Sequence, residues 1–270
     1  MIRKFIFTFI FALLLQANMA FAGTTGSEDL SGSSNKSTAK ECFEGVSRAM
    51  FKLNHGLDKA IFEPVAKGYR ALPAPIRKGT GNAVDNLRSL LTFSNHVLQG
   101  DFREAGITAG RFGINTTVGI LGVFDPAAKM GLTEQGKEDF GQTLGRWGAD
   151  SGCYFVLPIL GPTTTRDAIG LVGNVFLDPV YQITHNTEID NGIIGNGNYS
   201  EHNYYYYRST GAVDFRAKNI ESFDSLEENS IDLYASLKSL YLQNRNKQIQ
   251  NSKSTVETQN DDDWEEIDTN

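Results

Sequence analysis

Residues 153–162 read CYFVLPILGP: ten residues with no charge, apolar almost throughout, broken by Pro158 and Pro162. A helix needs ~20 apolar residues to cross a hydrocarbon layer about 30 Å thick. At 1.5 Å per helical residue this stretch reaches across roughly one leaflet. It cannot span a bilayer as a helix, and beyond the Cys153 thiol it holds no acid, base or metal ligand. Taken by itself it is either a buried core piece or a surface made for lipid. A second segment of the same kind, Gly119-Ile-Leu-Gly-Val-Phe124, reads as a glycine-spaced, hairpin-like piece ended by Asp125-Pro126.

Outward from these two pieces the pattern is helical. Phe43, Val46, Met50, Leu53, Leu57 and Ile61 recur at helical spacing and predict an amphipathic helix that stops before Pro64. A second helix opens at Pro75, a favoured first-turn residue, and Gly100-Asp101 separates it from a third that contains Ala105, Ala109 and Phe112. Gly106 and Gly110 on that helix allow close approach of a neighbour, as ordinary tight packing also would. Thr165 is the expected N-cap of a helix ending at Asp178-Pro179. Thr184 to Tyr207 reads as a loop with an aromatic cluster, and helical spacing returns from Val213 to Arg245. No alternating strand is evident, so the expected fold class is all-α.

The ends have their own composition. Arg3 and Lys4, the apolar Phe5–Leu15 run and Ala20-Phe21-Ala22 together predict a cleaved signal peptide over 1–22, and so an exported protein. No cysteine lies beside the cleavage site. A Gly/Ser/Thr-rich tether is expected over 23–41 and an acidic, disordered tail over 246–270. The formal net charge is −7, and seven acids between Glu257 and Asp268 account for most of it once the signal bases are removed. The body is nearly balanced, with no basic field for nucleic acid. Cys42 and Cys153 can pair or remain two thiols; their spacing decides neither.

Catalytic patterns fail one by one. Ala149-Asp150-Ser151-Gly152 lacks the Gly-x-Ser-x-Gly spacing of a nucleophile elbow. His55, His96, His185 and His202 show no metal-ligand spacing, and two cysteines over a hundred residues apart do not make a zinc site. Gly141 and Gly145 follow no strand and imply no phosphate loop. No catalytic residue, metal or cofactor is expected.

Several blocks, in order, resemble one family. They are Phe43-Glu-Gly-Val-Ser-Arg-Ala-Met-Phe51, Pro64-Val-Ala-Lys-Gly-Tyr-Arg70, Asn95-x-x-Leu-Gln-Gly100, and Arg111-Phe-x-x-Asn115 through Asp125. Glu138-Asp-Phe-Gly-Gln-Thr-Leu-Gly145, Trp147, Ser151 through Pro162 with Arg166-Asp167, and Tyr234 to Arg245 follow. Over 42–245 the chain is similar to the MlaA (VacJ) family of Gram-negative bacteria. The resemblance implies a ring of helices in the inner leaflet of the outer membrane, around a central amphipathic channel. It implies removal of misplaced phospholipids from the outer leaflet, with delivery to a periplasmic carrier protein (MlaC-like) beside a trimeric porin, and no enzymatic step. A soluble periplasmic lipid-binding carrier is the competing reading.

On that resemblance, Asn115, Thr116, Gly119, Ile120, Leu121, Gly122, Val123, Phe124, Asp125 and Pro126 form a hairpin gating the channel, with Gly119 and Gly122 as hinges. Tyr154, Phe155, Leu157, Pro158, Ile159 and Leu160 form apolar lining. Many family members carry a lipid-bearing cysteine that this sequence does not show near its cleavage site, so retention is expected to rest on the ring or a porin. Cys42 and Cys153 stand where the family has prolines; their joint appearance favours a disulfide.

Overall fold

The computed structural model describes residues 39–185 and 201–250. The expected signal peptide, nearly all of the tether, the middle of the Asn/Gly/Tyr-rich stretch and most of the acidic tail lie outside the described residues. In chain order the elements are β1 (Lys40–Glu41), α1 (Glu44–Leu57), a π-helical turn (Asp58–Phe62), α2 (Glu63–Arg70), α3 (Ala74–Gln99) and α4 (Phe102–Thr117). Then come α5 (Pro126–Lys129), α6 (Phe140–Arg146), β2 (Cys153–Leu157), β3 (Gly161–Thr164) and α7 (Thr165–Leu177). The chain closes with α8 (Pro179–His185), α9 (Glu201–Lys218), α10 (Ile220–Asn229) and α11 (Leu233–Ile249). The fold is mostly helical, and among the described residues no helix is long and apolar enough to cross a membrane.

The opening stretch corrects the all-α expectation. Cys153–Leu157 is a strand, paired antiparallel with β3 in the register Tyr154 to Thr164, Phe155 to Thr163, Val156 to Pro162 and Leu157 to Gly161. Ile159 (φ 67°) and Gly161 (φ 84°) take the left-handed backbone that the tight turn needs. The prolines suit this edge: Pro162 has no N–H to give, and Pro158 stands in the turn. Asn54 of α1 clamps the turn, donating to the Leu157 carbonyl (2.8 Å) and accepting from Ile159 N–H (2.7 Å). Lys40 and Glu41, assigned to the tether by composition, form a short strand parallel to Cys153 and Tyr154. Cys42 and Cys153 are bonded, with Cα atoms 5.5 Å apart.

The first helix does not stop at Pro64. A π turn precedes it, with the Glu63 N–H donating back to Asp58, so the wider turn makes room for a ring that would clash inside a regular helix. Arg216 of α9 fixes this turn through two hydrogen bonds to Asp58 (2.9 and 2.8 Å). The expected loop at Tyr204–Tyr207 is helical, inside α9, and the cap of α7 is Thr164, one residue before the expected one, accepting from Asp167 N–H. The polar link before the opening stretch contains α6, capped by Asp139. Gly100, in the left-handed conformation (φ 79°), ends α3. Helices α3 and α4 then run antiparallel.

The apolar stripes have the predicted spacing but many face outward. Phe43, Val46, Leu53 and Ile61 on the first helix and Ile169, Val172 and Phe176 on α7 are exposed. The fully buried side chains are mostly polar: Asn95, Gln142, Thr143 and Asp178 among them. One apolar cluster joins Ala39, Tyr154, Val156 and Tyr234, with Phe51 and Tyr241 against it; a smaller one joins Ala66, Ala217 and Ile220. Arg245 of α11 ties the polar interior together, reaching Asp139 (2.7 and 3.0 Å) and Asp167 (2.8 and 3.1 Å). Burial opposes ionisation of Asp167, but Arg245, then Tyr241 and Arg166, hold its carboxyl down to about 2.

Candidate functional site

The segment expected to be a hairpin is a hydrogen-bonded turn without strands, joining α4 to α5. Its base is a polar knot. Asn115 donates to Asp125 Oδ1 (2.9 Å) and accepts from the Ala127 N–H (3.1 Å). Asp125 also accepts from the Ala128 N–H (3.1 Å), capping α5, with Pro126 in its first turn. Arg111, one helical turn before Asn115, reaches the other oxygen of Asp125 (2.9 Å) and the Leu132 carbonyl (2.5 Å). Burial pushes the Asp125 carboxyl up, yet the Asn115 and Arg111 hydrogen bonds outweigh it and hold it below the ordinary carboxylate value. Asp-Pro after a run of apolar residues gave the sequence signal for the cap. The Arg111-Phe-x-x-Asn115 spacing puts Arg111 and Asn115 on one face of α4, which is how both reach Asp125.

Above this knot the backbone is strained and tightly closed. Gly122 donates to the Asn115 carbonyl (2.8 Å), Leu121 to Thr116 (2.9 Å) and Phe124 to Gly119 (2.9 Å). Ile120 (φ 52°), Leu121 (φ 55°) and Gly122 (φ 87°) all lie in the left-handed region. For a β-branched residue such as Ile120 this is a clear outlier, and strain of this kind collects at functional sites. Its effect is to hold the Ile120 and Leu121 side chains outward, 63% and 71% exposed, beside exposed Phe124 and the more covered Val123.

Gly119 and Gly122 mark close approaches. A Cβ on Gly119 would sit 2.4 Å from the carbonyl oxygens of both Asn115 and Phe124, and one on Gly122 would sit 2.5 Å from the Asn86 Cβ. Asn86 of α3 in turn donates to Thr116 Oγ1 (2.9 Å), and Asn82 donates to the Val123 carbonyl (3.1 Å). The loop is thus fastened to α3 at two points. Beneath it, between α3 and α4, lies a polar cleft of about 70 Å³ whose walls include the buried side chains of Asn86, Thr92, Thr108 and Asn115.

The residues expected as apolar lining separate into two groups. Tyr154 is fully buried in the core, edge-on to Tyr234 at 6.2 Å and tilted against Tyr241 at 6.1 Å, so it is a packing residue and the lining assignment fails for it. Phe155 and Leu157 are half-buried, while Pro158, Ile159 and Leu160 form an exposed apolar tip. The two apolar tips, 118–124 and 158–160, come from the two segments singled out by composition. Among the described residues no cluster of acidic, histidine or cysteine side chains could hold a metal ion. Asn86, Thr108 and Arg88 were missed; polar residues spaced along an otherwise amphipathic helix were the available signal.

A mostly helical protein that turns apolar side chains outward, keeps polar ones inside and carries a strained apolar loop over a polar cleft has a surface of the kind that meets a membrane or another protein. The profile of the MlaA lipoprotein family matches residues 39–248, and the chain belongs to that family. It is 30% identical over 261 residues, 94% of this chain and 98% of the relative, to the intermembrane phospholipid transport system lipoprotein MlaA of Haemophilus influenzae. It is 37% identical over 139 residues, 49% of this chain and 55% of the relative, to the protein of the same name from Escherichia coli. An uncharacterized Rickettsia bellii protein is 34% identical over 83% of both chains. A solved structure described as the structural basis for maintenance of bacterial outer membrane lipid asymmetry superposes with a TM-score of 0.62 at 27% identity, covering 78% of this chain and 99% of that one. The curated relatives are named lipoproteins, which stands in tension with the ordinary cleavage site read at Ala20–Ala22; the two cysteines of this chain are bonded to each other.

Proposed function

We propose that this protein is the outer-membrane component of an intermembrane phospholipid transport system. It takes phospholipids misplaced in the outer leaflet of the Gram-negative outer membrane and passes them to a periplasmic carrier (MlaC-like), which keeps the two leaflets different. The observation that carries this reading is the inversion of polarity, with apolar stripes of α1 and α7 turned outward and polar side chains buried. Such a surface suits a protein seated in a leaflet as a ring of helices beside a trimeric porin. A polar interior suits the headgroup wall of an amphipathic channel.

The physical task is moving two acyl chains past water. Exposing some thirty methylenes at ~0.8 kcal/mol each would cost on the order of 25 kcal/mol. An apolar wall removes most of that cost, and the lipid passes chemically unchanged, with no catalytic residue. The exposed tips Ile120–Leu121 and Ile159–Leu160 are suited to meet acyl chains. Asn115 to Pro126 is the gate in this reading. Because Gly119 and Gly122 sit hard against backbone and Asn86, the gate moves as a block that bends at its ends, not at the glycines.

The test is membrane fractionation of cells making the tagged full chain, with phospholipid in the outer leaflet measured in a deletion strain. The expected result is outer-membrane recovery that requires detergent, co-purification of a trimeric porin, and surface phospholipid that rises on deletion. A water-soluble protein carrying stoichiometric lipid, with outer-leaflet composition unchanged on deletion, would overturn it in favour of a periplasmic carrier.

A further inference from the structure

We infer that the cleft between α3 and α4 is a binding site for a phosphoethanolamine group, with Arg88 taking the phosphate and Glu134 the ammonium. The transport reading supplies the source of that group, a phospholipid headgroup; the site itself is argued from its own charges.

Six charged side chains line the cleft: Asp85, Arg88, Arg111, Asp125, Glu134 and Lys137. Four are already neutralised in pairs, Arg111 with Asp125 (2.9 Å) and Lys137 with Asp85 (2.5 Å). Arg88 and Glu134, both exposed at the rim of the cleft, are the remainder, and neither makes an ion pair or hydrogen bond with another described residue. The cleft therefore carries one unmatched positive and one unmatched negative group at its open rim, above otherwise compensated walls. A ligand carrying one charge of each sign fits that balance, whereas an anionic headgroup would leave Glu134 facing it unpaired. A guanidinium fork matches phosphate oxygens in pairs, and a primary ammonium has three donors for a carboxylate.

Three further features sharpen the choice. Thr108 is part of the cleft wall and only 4% exposed, and its hydroxyl oxygen is buried behind that wall with no hydrogen-bond partner. Such a group is rare unless something else meets it, and a phosphate oxygen is a suitable acceptor. No aromatic side chain lines the cleft. Quaternary ammonium is recognised by aromatic faces, so phosphocholine lacks its usual partner here, while a primary ammonium does not need one. The volume, about 70 Å³, holds on the order of five waters at roughly 10–15 Å³ each, enough for a headgroup and too little for acyl chains.

The experiment uses the full chain in detergent and native mass spectrometry to count bound dihexanoyl phosphatidylethanolamine, phosphatidylglycerol and phosphatidylcholine, with free phosphoethanolamine as competitor. The ethanolamine lipid is expected to bind roughly tenfold more tightly than the other two, the scale of one charge-assisted hydrogen bond. Glu134→Gln should bring it down to the level of the glycerol lipid, and Arg88→Gln should weaken all three together. Thr108→Val should lower affinity while leaving the melting temperature unchanged, because no bond within the protein is lost. Lipid binding without headgroup preference, or a preference that survives Glu134→Gln, overturns the site and leaves the transport reading standing. Free phosphoethanolamine binding as tightly as the lipid overturns the headgroup as its source. If no lipid binds and deletion leaves surface phospholipid unchanged, the transport reading fails with it.

Discussion

Adding one methyl group at Gly119 tests the closed geometry of the apolar loop, because an identical change six residues earlier provides the control. The Cβ of Gly119→Ala would lie 2.4 Å from two backbone carbonyl oxygens, those of Asn115 and Phe124, and 2.9 Å from the Asn115 Cα. Backbone atoms cannot rotate away as a side-chain tip can, so the carbonyls must separate by about 1 Å to restore ordinary contact. That separation breaks Gly122 N–H to Asn115 (2.8 Å) and Phe124 N–H to Gly119 (2.9 Å). Two lost hydrogen bonds at about 1 kcal/mol each, with overpacking at about 1–3 kcal/mol, give a destabilisation of roughly 3–5 kcal/mol. Gly113 sits in the interior of α4 with nothing near its would-be Cβ. Gly113→Ala should stabilise by up to ~1 kcal/mol through helix propensity. At about 2–4 °C per kcal/mol for a chain of this size, the two variants should melt roughly 10 °C apart, read by circular dichroism of the detergent-solubilised protein. If Gly119→Ala melts within ~2 °C of Gly113→Ala, the loop is not closed as described and the block-like gate loses its basis.

Reducing the Cys42–Cys153 bond, which closes a separation of 111 residues, should cost up to ~4.7 kcal/mol in the chain-entropy model. A reductant should then lower the melting temperature of the native chain and leave that of a Cys42→Ser, Cys153→Ser variant unmoved. Arg245→Met should cost about 3–5 kcal/mol at pH 7, since it strands the buried carboxylates of Asp139 and Asp167. The sign with pH is set by their depressed values: the native chain keeps this stabilisation above the unfolded carboxylate range near 4 and loses it as pH falls through about 2 for Asp167. In the variant the largest opposing contact is gone and burial pushes both groups up against the weaker hold of Tyr241 and Arg166 on Asp167 and of Gln142 on Asp139, so the deficit should be largest at neutral pH and shrink as pH falls toward 4, read as parallel melts across that range. Asp125→Ala removes the cap of α5 and the partner of Arg111 and Asn115, and limited proteolysis should cut within 118–125 faster than in the native protein.

Helical spacing was readable wherever apolar residues recur every three to four positions, and α1, α3, α4 and α7 stand where that spacing put them. What spacing cannot say is which way a stripe faces. The set Phe43, Val46, Leu53 and Ile61 is amphipathic under either orientation, and only tertiary context turns it outward. Pro64 misled for a local reason, because a π turn absorbs a proline that would end a regular helix. CYFVLPILGP misled for a different one. Its alternation is real, with Tyr154 and Val156 buried and Phe155 between them less so, but both faces are apolar and the period of two is invisible in composition. Of the site, the loop 115–126 was legible through its glycines and Asp-Pro. The cleft beneath was not, because Asn86 and Arg88 on α3 meet Thr108 and Arg111 on α4 only when the helices pack back on one another.

Polar burial explains how this fold holds together with so little apolar core. On the transport reading proposed above the outward stripes lie against lipid, where helices gain nothing from hiding apolar side chains from one another, and association falls to close packing and polar contacts. The chain supplies both in places that join distant segments: Arg245 links α11 to α6 and α7, Arg216 links α9 to the π turn, and the disulfide links the first strand to the second. Directional contacts of this kind have few alternative partners, so they fix one arrangement where an apolar core could slide. The same logic sets the limit on the loop. Its exposed Ile120 and Leu121 are held in left-handed backbone by Asn82, Asn86 and the Asn115–Asp125 knot, all polar and all on the inner side. Loosening the knot therefore releases the apolar tips without disturbing any apolar contact that anchors the helices, which is the separation a gate requires.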